Sequence, residues 1–210
     1  MDRIDLKKIK NIIFDLGNVI IDLDMAATDS AFKKLCADRY EEVMNELNKE
    51  FFFEKYETGK ISTKEFVQTL QSMIGNGISE KAIIDAWNAM LLTIPDERYN
   101  ILNSLKEDYR TFCLSNTNEL HIEYVFNQLK QTKGIQNLDD YFERVYLSHE
   151  MGQRKPNVEI FETVINDNNL VPSETLFIDD TAGHLVGAKK AGLHTFHMSE
   201  GRSLERVVGY

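Results

Sequence analysis

Four apolar segments of this sequence lead into side chains that bear reactive or ligating groups. The first of these segments, residues 12–14, runs directly into an acid, and three later segments lead to other polar groups. The groups are Asp15, Ser115 with Asn116, Lys155, and Asp179 with Asp180. Taken alone, Asp15 fits two interpretations equally well: a reactive group at the end of a strand, or a strand that simply stops at a polar residue. Because the carboxyl ends of parallel strands meet at one edge of a sheet, we expect all four groups to converge on one cleft.

The chemistry of this set is that of a cation and a phosphate. Three carboxylates in one cleft repel each other unless a cation compensates them, and Mg²⁺ prefers carboxylate, water and phosphate oxygens. Lys155 suits a phosphate oxygen, and Pro156 after it predicts that Lys155 stands at a helix N-terminus, which favours anions. Ser115 and the backbone around Asn116 offer hydrogen bonds to the same phosphate. The set predicts Mg²⁺-dependent phosphoryl transfer with Asp15 as a carboxylate nucleophile.

Alternating strands and helices must position these groups. Apolar and β-branched runs predict five strands, and helical apolar stripes separate the later ones. The predicted strands are residues 12–14, 111–114, 144–147, 175–178 and 195–197. The helices are expected to begin at Pro95, after Asn118, at Pro156 and near His184. This alternation is typical of βαβ units, so the fold class is α/β with a parallel sheet.

A helical segment interrupts this alternation after the first strand. Between Met25 and Leu92, apolar residues recur at spacings of three and four in four stripes. The second stripe is expected to run from Val43 to Phe51, and Trp87 is expected in the core of the segment. Ser62 begins a capping-box sequence that predicts a helix start. The segment therefore predicts a bundle of about four helices inserted into the α/β domain.

Composition narrows the classes of function. The chain has 210 residues and a net charge of −10, which disfavours nucleic acid and anionic membrane surfaces as partners. Two cysteines, Cys36 and Cys113, form no metal-binding or disulfide pattern, and no leader or membrane-spanning segment is evident. We expect a cytoplasmic protein, a monomer or weak dimer, that acts on a small molecule.

Four motifs resemble the signatures of one enzyme superfamily. They are Phe-Asp-Leu-Gly-Asn-Val at 14–19, Leu-Ser-Asn-Thr-Asn at 114–118, Gly-Gln-Arg-Lys-Pro at 152–156 and Phe-Ile-Asp-Asp at 177–180. In order and spacing they resemble the haloacid dehalogenase-like (HAD) hydrolases, in particular the subgroup that includes bacterial α-glucose-1-phosphatase and the phosphatase domain of soluble epoxide hydrolase. The stretch at 56–62 also resembles part of that subgroup's helical cap.

The resemblance implies a fold, a cofactor and residue roles. It implies a Rossmann-like HAD core at 1–22 and 95–210 and a helical cap of the C1 type at 23–94. Asp15 would form a phospho-aspartate, while Ser115, Asn116 and Lys155 would hold the transferring group. The Mg²⁺ ligands would be Asp15, Asp180 and the carbonyl of Gly17, with Asp179 as the second choice. The function expected is a Mg²⁺-dependent phosphatase of a small metabolite, with a sugar phosphate favoured.

Two positions depart from the commonest pattern of the superfamily. Gly17 stands where many members carry a second aspartate that acts as general acid and base, so we expect substrates with good leaving groups. His184 stands where many members carry an acid. An exposed or helix-capping role is favoured for His184, and a proton donor near the phosphate is the alternative. Arg154 is expected to be solvated or ion-paired.

Other functions remain open on the sequence. A metal-independent 2-haloacid dehalogenase is disfavoured because the paired acids Asp179 and Asp180 suit a cation. A mutase of the β-phosphoglucomutase type would need the acid missing at Gly17. A non-catalytic or weakly active phosphometabolite-binding protein is compatible with Gly17. Two locations are equally favoured for the aromatic residues of the insert, its core and the wall of a substrate pocket; these residues are Phe51, Phe52, Phe53 and Tyr56.

Overall fold

A parallel five-stranded sheet forms the centre of the α/β part of the molecule. The computed structural model describes residues 6–75, 77–199 and 204. The strands are β1 (Asn11–Phe14), β2 (Arg110–Ser115), β3 (Arg144–Leu147), β4 (Thr175–Asp179) and β5 (His194–His197). Their order across the sheet is β3-β2-β1-β4-β5, and every neighbouring pair is parallel. The predicted α/β class and parallel sheet are confirmed.

Strand β1 lies at the middle of this sheet, and all four of its residues are buried. Its last residue, Phe14, is paired in register with Cys113 on one side and with Ile178 on the other. The three central strands therefore end together, and the residues that follow them meet at one edge. This register explains why continuous apolar runs, rather than alternating patterns, mark the strands in the sequence.

Helices surround the sheet and fill the insert between β1 and β2. In chain order they are α1 (Met25–Cys36), α2 (Tyr40–Lys49), α3 (Phe52–Glu57), α4 (Thr63–Ile74), α5 (Glu80–Asn88), α6 (Asp96–Asp108), α7 (Glu119–Lys133), α8 (Ser148–Met151), α9 (Val158–Asp167) and α10 (Ala182–Lys190). The predicted capping box at Ser62 is present, with both reciprocal bonds to Glu65. Asn118 caps α7 by accepting a hydrogen bond from the backbone N–H of His121.

Three details of the helices differ from the sequence expectation. The second apolar stripe breaks at Phe51, which has a positive φ of 52° and an exposed side chain, so α2 and α3 are separate helices. The helix after Lys155 begins at Val158 rather than at Pro156, because Asn157 is its N-cap. Lys155 therefore does not stand at a helix N-terminus. The short helix α8 follows β3 directly and was not predicted, since four residues carry no helical period.

The insert has an apolar core of its own, distinct from the clusters on the two faces of the sheet. Phe66 and Trp87 lie in this core, which confirms the prediction for Trp87. The two segments that join the insert to the sheet lie side by side. The backbone N–H of Leu92 donates to the Asp22 carbonyl over 3.1 Å, and that of Asp24 donates to the Met90 carbonyl over 2.8 Å.

These joining segments lie where the sequence places the boundaries of a cap at 23–94, and the division into core and cap domains stays a prediction. Within the residues described, no helix combines the length and the apolar character needed to cross a membrane.

Candidate active site

A buried ion-pair triad lies at the carboxyl edge of the sheet. The ammonium of Lys155 is fully buried, with its Nζ 2.8 Å from Asp15 Oδ1 and 2.7 Å from Asp179 Oδ2. An unpaired charge at such a position would be strongly destabilising, so the two carboxylates are required to compensate it. The structure thus brings together a carboxylate that directly follows β1, a carboxylate at the end of β4 and a cation from the loop after α8.

Asp15 directly follows β1. Its backbone N–H continues the sheet by donating to the Ile178 carbonyl over 2.8 Å, and the N–H of Leu16 donates to Oδ1 over 2.7 Å. Burial raises the pKa of Asp15 to about 6; the charge of Lys155 opposes this rise and the carboxylate of Asp179 adds to it. The contacts from Lys155 and from the Leu16 backbone both fall on Oδ1, which leaves Oδ2 as the oxygen suited to nucleophilic attack.

Asp179 is fully buried, and its carboxylate is saturated with donors. Lys155 and His184 both reach Oδ2, at 2.7 Å and 2.9 Å, and the backbone N–H of Thr181 donates to Oδ1 over 2.7 Å. Burial alone would raise the pKa of Asp179, but the hydrogen bond from His184 and the charge of Lys155 together lower it. A carboxylate with this many donors holds its neighbours in place more readily than it binds a metal ion.

Asp180 is more open than Asp179 and lines the cavity above the triad. Its Oδ2 accepts from Asn18 Nδ2 over 2.9 Å, and Asn18 in turn accepts from the backbone N–H of Leu23 over 3.1 Å. Asn18 has a positive φ of 52°, a conformation that asparagine tolerates better than most residues. Asn18 therefore orients Asp180, a contact that the sequence pattern did not indicate.

Two sets of groups at this edge suit a divalent cation. Asp15, Asp179 and His184 have ligand atoms within 4.8 Å of one another. Asp15, Asp180 and Gly17 instead line the cavity together. We favour the second set, because Asp179 and His184 are already bonded to each other and Asp179 also binds Lys155. A set of carboxylate and carbonyl oxygens fits a hard cation such as Mg²⁺.

The loop that carries Lys155 is fixed by Asn116. Asn116 Nδ2 donates to the Lys155 carbonyl and the Lys155 backbone N–H donates to Asn116 Oδ1, each over 2.9 Å. The side chain of Asn116 is therefore occupied, and a substrate contact from this residue falls to its backbone. Ser115, the last residue of β2, is buried and lines the cavity beside Asp15.

The favoured prediction for His184 is wrong. His184 Nδ1 lies 3.0 Å and 2.9 Å from the two carboxylate oxygens of Asp179, so the ring is neither free nor a helix cap. Its position in the first turn of α10 brings it back over the end of β4. Arg154, by contrast, is ion-paired as predicted, with Glu54 at 3.0 Å and Glu57 at 3.1 Å.

A cavity of about 570 Å³ opens above the triad, between the sheet edge and the helical insert. The aromatic run at 51–53 divides there: Phe53 lines the cavity, Phe52 is buried in the insert core, and Phe51 is 65% exposed. Tyr56 is buried in the insert core, whereas Trp87 contributes to both the core and the cavity wall. Asp29 and Tyr40 also line the cavity, although no motif or spacing in the sequence marks either residue.

Comparison with known proteins agrees with this architecture. Residues 9–192 match the haloacid dehalogenase-like hydrolase family. A D-ribitol-5-phosphate phosphatase from Bacteroides thetaiotaomicron is 32% identical over 193 residues, covering 92% of this chain and 93% of that protein. A sesquiterpene phosphatase from Aspergillus oryzae is 26% identical, covering 95% of this chain and 97% of that protein.

Solved structures agree as well. An HAD family enzyme from Bacteroides thetaiotaomicron, crystallised with magnesium and inorganic phosphate, superposes with a TM-score of 0.85 at 36% identity, covering 95% of this chain and 98% of that one. A 2-haloacid dehalogenase from Pseudomonas syringae shares only the fold, with a TM-score of 0.58 at 14% identity.

The parallel sheet, the acids and the lysine at its carboxyl edge define a hydrolase of the α/β class. The chain belongs to the haloacid dehalogenase-like hydrolase family.

Proposed function

We propose that this protein is a Mg²⁺-dependent phosphatase that hydrolyses a small phosphorylated metabolite through a phospho-aspartate at Asp15. The observation that carries the proposal is the buried Lys155 ammonium held between Asp15 and Asp179, directly behind the Asp15 carboxylate, which itself lines an open cavity. This arrangement places a carboxylate nucleophile beside a fixed positive charge, which suits attack on a phosphoryl group.

Each residue has a defined part in the proposed reaction. Asp15 Oδ2 attacks phosphorus, the phosphorus–oxygen bond to the organic group breaks, and the released alkoxide takes a proton from water. Water then attacks phosphorus and the bond between phosphorus and Asp15 Oδ2 breaks, which frees inorganic phosphate and restores the carboxylate; the proton lost by this water neutralises the hydroxide left by the first step. Lys155 and Ser115 hold the phosphoryl oxygens during both steps, and Asn116 keeps the Lys155 backbone in position.

The proposed metal ligands are the carboxylates of Asp15 and Asp180 and the carbonyl of Gly17. Mg²⁺ bound there supplies positive charge to the phosphoryl oxygens. The related HAD family enzyme from Bacteroides thetaiotaomicron, crystallised with magnesium and inorganic phosphate, supports the choice of Mg²⁺ as the cation. Asn18 fixes the Asp180 carboxylate by its 2.9 Å hydrogen bond.

A sugar or polyol phosphate is the favoured substrate. Two relatives support this choice, the D-ribitol-5-phosphate phosphatase described above and a glyceraldehyde 3-phosphate phosphatase from Pyrococcus furiosus, which is 29% identical over 123 residues. We also propose that the protein is cytoplasmic and acts as a monomer or weak dimer. Both of its cysteines are free and buried, which fits a reducing compartment.

The proposal is tested by a phosphatase screen over sugar, polyol, nucleotide and cofactor phosphates, run with Mg²⁺ and with a chelator. Asp15→Asn is the control, because it keeps the size of the side chain and removes the nucleophile. We expect phosphate release that needs Mg²⁺ and falls at least about a thousandfold in Asp15→Asn. Unchanged release in Asp15→Asn, or full activity in the chelator, would contradict the proposal.

A further inference from the structure

The wall of the cavity has an unusual charge pattern. Among the described residues that line it, none is a lysine or an arginine, whereas Asp29 and Glu57 both belong to the wall contributed by the helical insert. A second anionic group on a bound phosphate ester would therefore meet carboxylates and no cationic partner. Like charges at contact distance in a partly enclosed site disfavour binding strongly.

The cations that accompany these two acids are already paired with them. Lys33 Nζ lies 2.7 Å from Asp29 Oδ2, and an Arg154 nitrogen lies 3.1 Å from Glu57 Oε2. Neither cation is part of the cavity lining. An anion in the cavity could reach these cations only by displacing the carboxylates that they hold.

His121 does not supply a positive charge either. Its Nε2 lies 3.2 Å from the Trp87 carbonyl and therefore donates, so its Nδ1 accepts from Asn118 Nδ2 over 3.2 Å. Burial lowers the pKa of His121 to about 4, which keeps the ring neutral at pH 7. His184, the other histidine of the lining, lies at the phosphate end and is bonded to Asp179.

Much of the rest of the wall is made of apolar side chains, whereas the other lining residues include neutral polar groups such as Thr28 and Thr117. Phe53 and Trp87 stack with ring centroids 5.5 Å apart, and Trp87 Nε1 already donates to Asn118 over 3.2 Å. The other apolar lining residues on this side are Phe32, Met44, Met90, Leu91, Ile122 and Val125. A carboxylate or phosphate placed here would lose its hydration without gaining a partner, while a carbon chain or ring would be buried favourably.

At one part of this wall, hydroxyl groups would find acceptors. Asp29 lines the cavity there and accepts a hydrogen bond from the Tyr40 hydroxyl. A carboxylate still accepts from further hydroxyl groups, and the phenol oxygen of Tyr40 keeps acceptor capacity. This part of the wall therefore favours alcohols over acids.

We propose, on the basis of the phosphatase function above, that the substrate is a monophosphate ester whose organic part is uncharged, and that esters carrying a second anionic group are excluded. The apolar wall contacts the carbon skeleton, and Asp29 accepts from a hydroxyl group remote from the phosphate. Bisphosphates, nucleoside diphosphates and phosphorylated carboxylic acids fall outside this class.

Matched pairs of substrates test the proposal in the unaltered protein. Each pair has one carbon skeleton that ends in an alcohol or in the corresponding carboxylate: glycerol 3-phosphate with 3-phosphoglycerate, and ribitol 5-phosphate with 5-phosphoribonate. Of the two alcohol-ended esters, we take the one that is hydrolysed with the higher kcat/KM. We expect its kcat/KM to exceed that of the matching carboxylate-ended ester by about tenfold or more. p-Nitrophenyl phosphate serves as the general phosphatase substrate.

The outcomes separate this inference from the phosphatase proposal. If no phosphate ester is hydrolysed, p-nitrophenyl phosphate included, the phosphatase proposal itself fails. If p-nitrophenyl phosphate is hydrolysed and neither alcohol exceeds its acid, the phosphatase stands and the exclusion of anions is overturned.

A substitution in the wall gives an independent measurement. Met44 lines the cavity and belongs to α2 of the helical insert, which contains no residue of the triad. Met44→Lys should raise the acid-to-alcohol ratio of kcat/KM several-fold, because it supplies the missing cation. Met44→Gln is the matched neutral control and should leave this ratio unchanged. An equal change of the ratio in both variants would show that charge does not set the preference.

Discussion

At the scale of single residues, Asp179 is the side chain on which the geometry of Lys155 depends. Its carboxylate is fully buried and holds Lys155, His184 and the backbone of Thr181 at the end of β4. Asp179 and its partner His184 are able to affect kcat without contacting the substrate. Asp179 is best described as a positioning residue, because it sets the direction in which the ammonium faces Asp15.

Asp179→Asn should leave Lys155 with a weaker and less well directed partner. We expect kcat to fall about 10- to 100-fold, the range typical of residues that orient a ligating group, with a smaller change in KM. Steady-state kinetics on the best substrate of the screen measures this split. Asp180→Asn is the comparison and should raise the Mg²⁺ concentration needed for half-maximal activity. A Mg²⁺ requirement that shifts in Asp179→Asn and not in Asp180→Asn would reverse the assignment of the metal ligand.

Gly17, two residues after Asp15, offers no side chain that could protonate the leaving group. A Cβ at this position would lie 2.7 Å from Leu23 Cδ1, the end of a flexible side chain that is able to move. Gly17→Asp should therefore fold and should raise activity on simple alkyl phosphates relative to p-nitrophenyl phosphate, because poor leaving groups gain most from a proton donor.

Gly17→Asn places the same volume against Leu23 without an ionisable proton, so it is the matched control. Kinetics on ethyl phosphate and p-nitrophenyl phosphate for both variants measure the effect. If the two variants give the same ratio of activities, the leaving-group explanation of Gly17 is wrong.

At the scale of elements, the approach of α10 to the Lys155 loop depends on Gly187. A Cβ there would lie 2.0 Å from the Pro156 carbonyl oxygen and 2.9 Å from Phe161 Cε2. The nearest atom belongs to the backbone, so it cannot move aside as the end of a flexible side chain could. The loop held by α10 is the same loop that Asn116 fixes from β2.

Gly187→Ala should force α10 and the loop apart. We expect a loss of about 1 to 3 kcal/mol in the free energy of unfolding, as for other overpacked sites, together with a lower kcat. Gly183, in the same helix, has no atom within 4 Å of an added Cβ and provides the control. Gly183→Ala should be neutral or stabilising in urea denaturation. Equal stability of the two variants would contradict the packing argument.

Much of the α/β part was predictable because its three central strands are almost entirely buried and lead into polar groups. The run at 12–14 and the acid after it defined β1 and Asp15, and parallel pairing then brought Ser115, Lys155 and Asp179 to the same edge. The break at Phe51 was not predictable, because its apolar side chain fits the helical period while its backbone leaves it.

The partners of His184 and Asn116 could not be predicted for a different reason. His184 contacts Asp179, 5 residues away in the chain, and Asn116 contacts Lys155, 39 residues away. In both cases the exact loop geometry determines which atoms meet. Gln, Asn and His side chains offer several donors and acceptors, so their type alone does not identify a partner. The lining of the cavity by Asp29 and Tyr40 is likewise a consequence of how the helical insert lies over the sheet.

At the scale of the whole molecule, the packing of the insert on the α/β part depends in part on a neutral histidine. His121, on α7, stacks on Trp87 of the insert with ring centroids 4.9 Å apart. Burial lowers its pKa to about 4 from an ordinary value of 6.5, so the folded protein binds fewer protons there than the unfolded chain between these values. Stability contributed by His121 is therefore present at neutral pH and is lost as the pH falls from 6.5 towards 4.

When the pH is lowered from 7 to 5, the shifted pKa of His121 should lower the free energy of unfolding by about 2 kcal/mol. His121→Gln, which cannot be protonated, should lose less stability over the same interval, even if it is less stable at pH 7. Urea denaturation of both proteins at the two pH values measures the difference. An equal loss in the two proteins would show that His121 does not titrate as its burial implies.

The central claim is that Asp15 becomes phosphorylated during turnover. The most direct test is to quench the protein in acid while it turns over its best substrate with Mg²⁺, reduce the acyl phosphate with borohydride and identify the modified residue by mass spectrometry. We expect conversion of residue 15 to homoserine, dependent on substrate and on Mg²⁺ and confined to that position. Turnover with residue 15 unmodified, or with the modification at another acid, would contradict it.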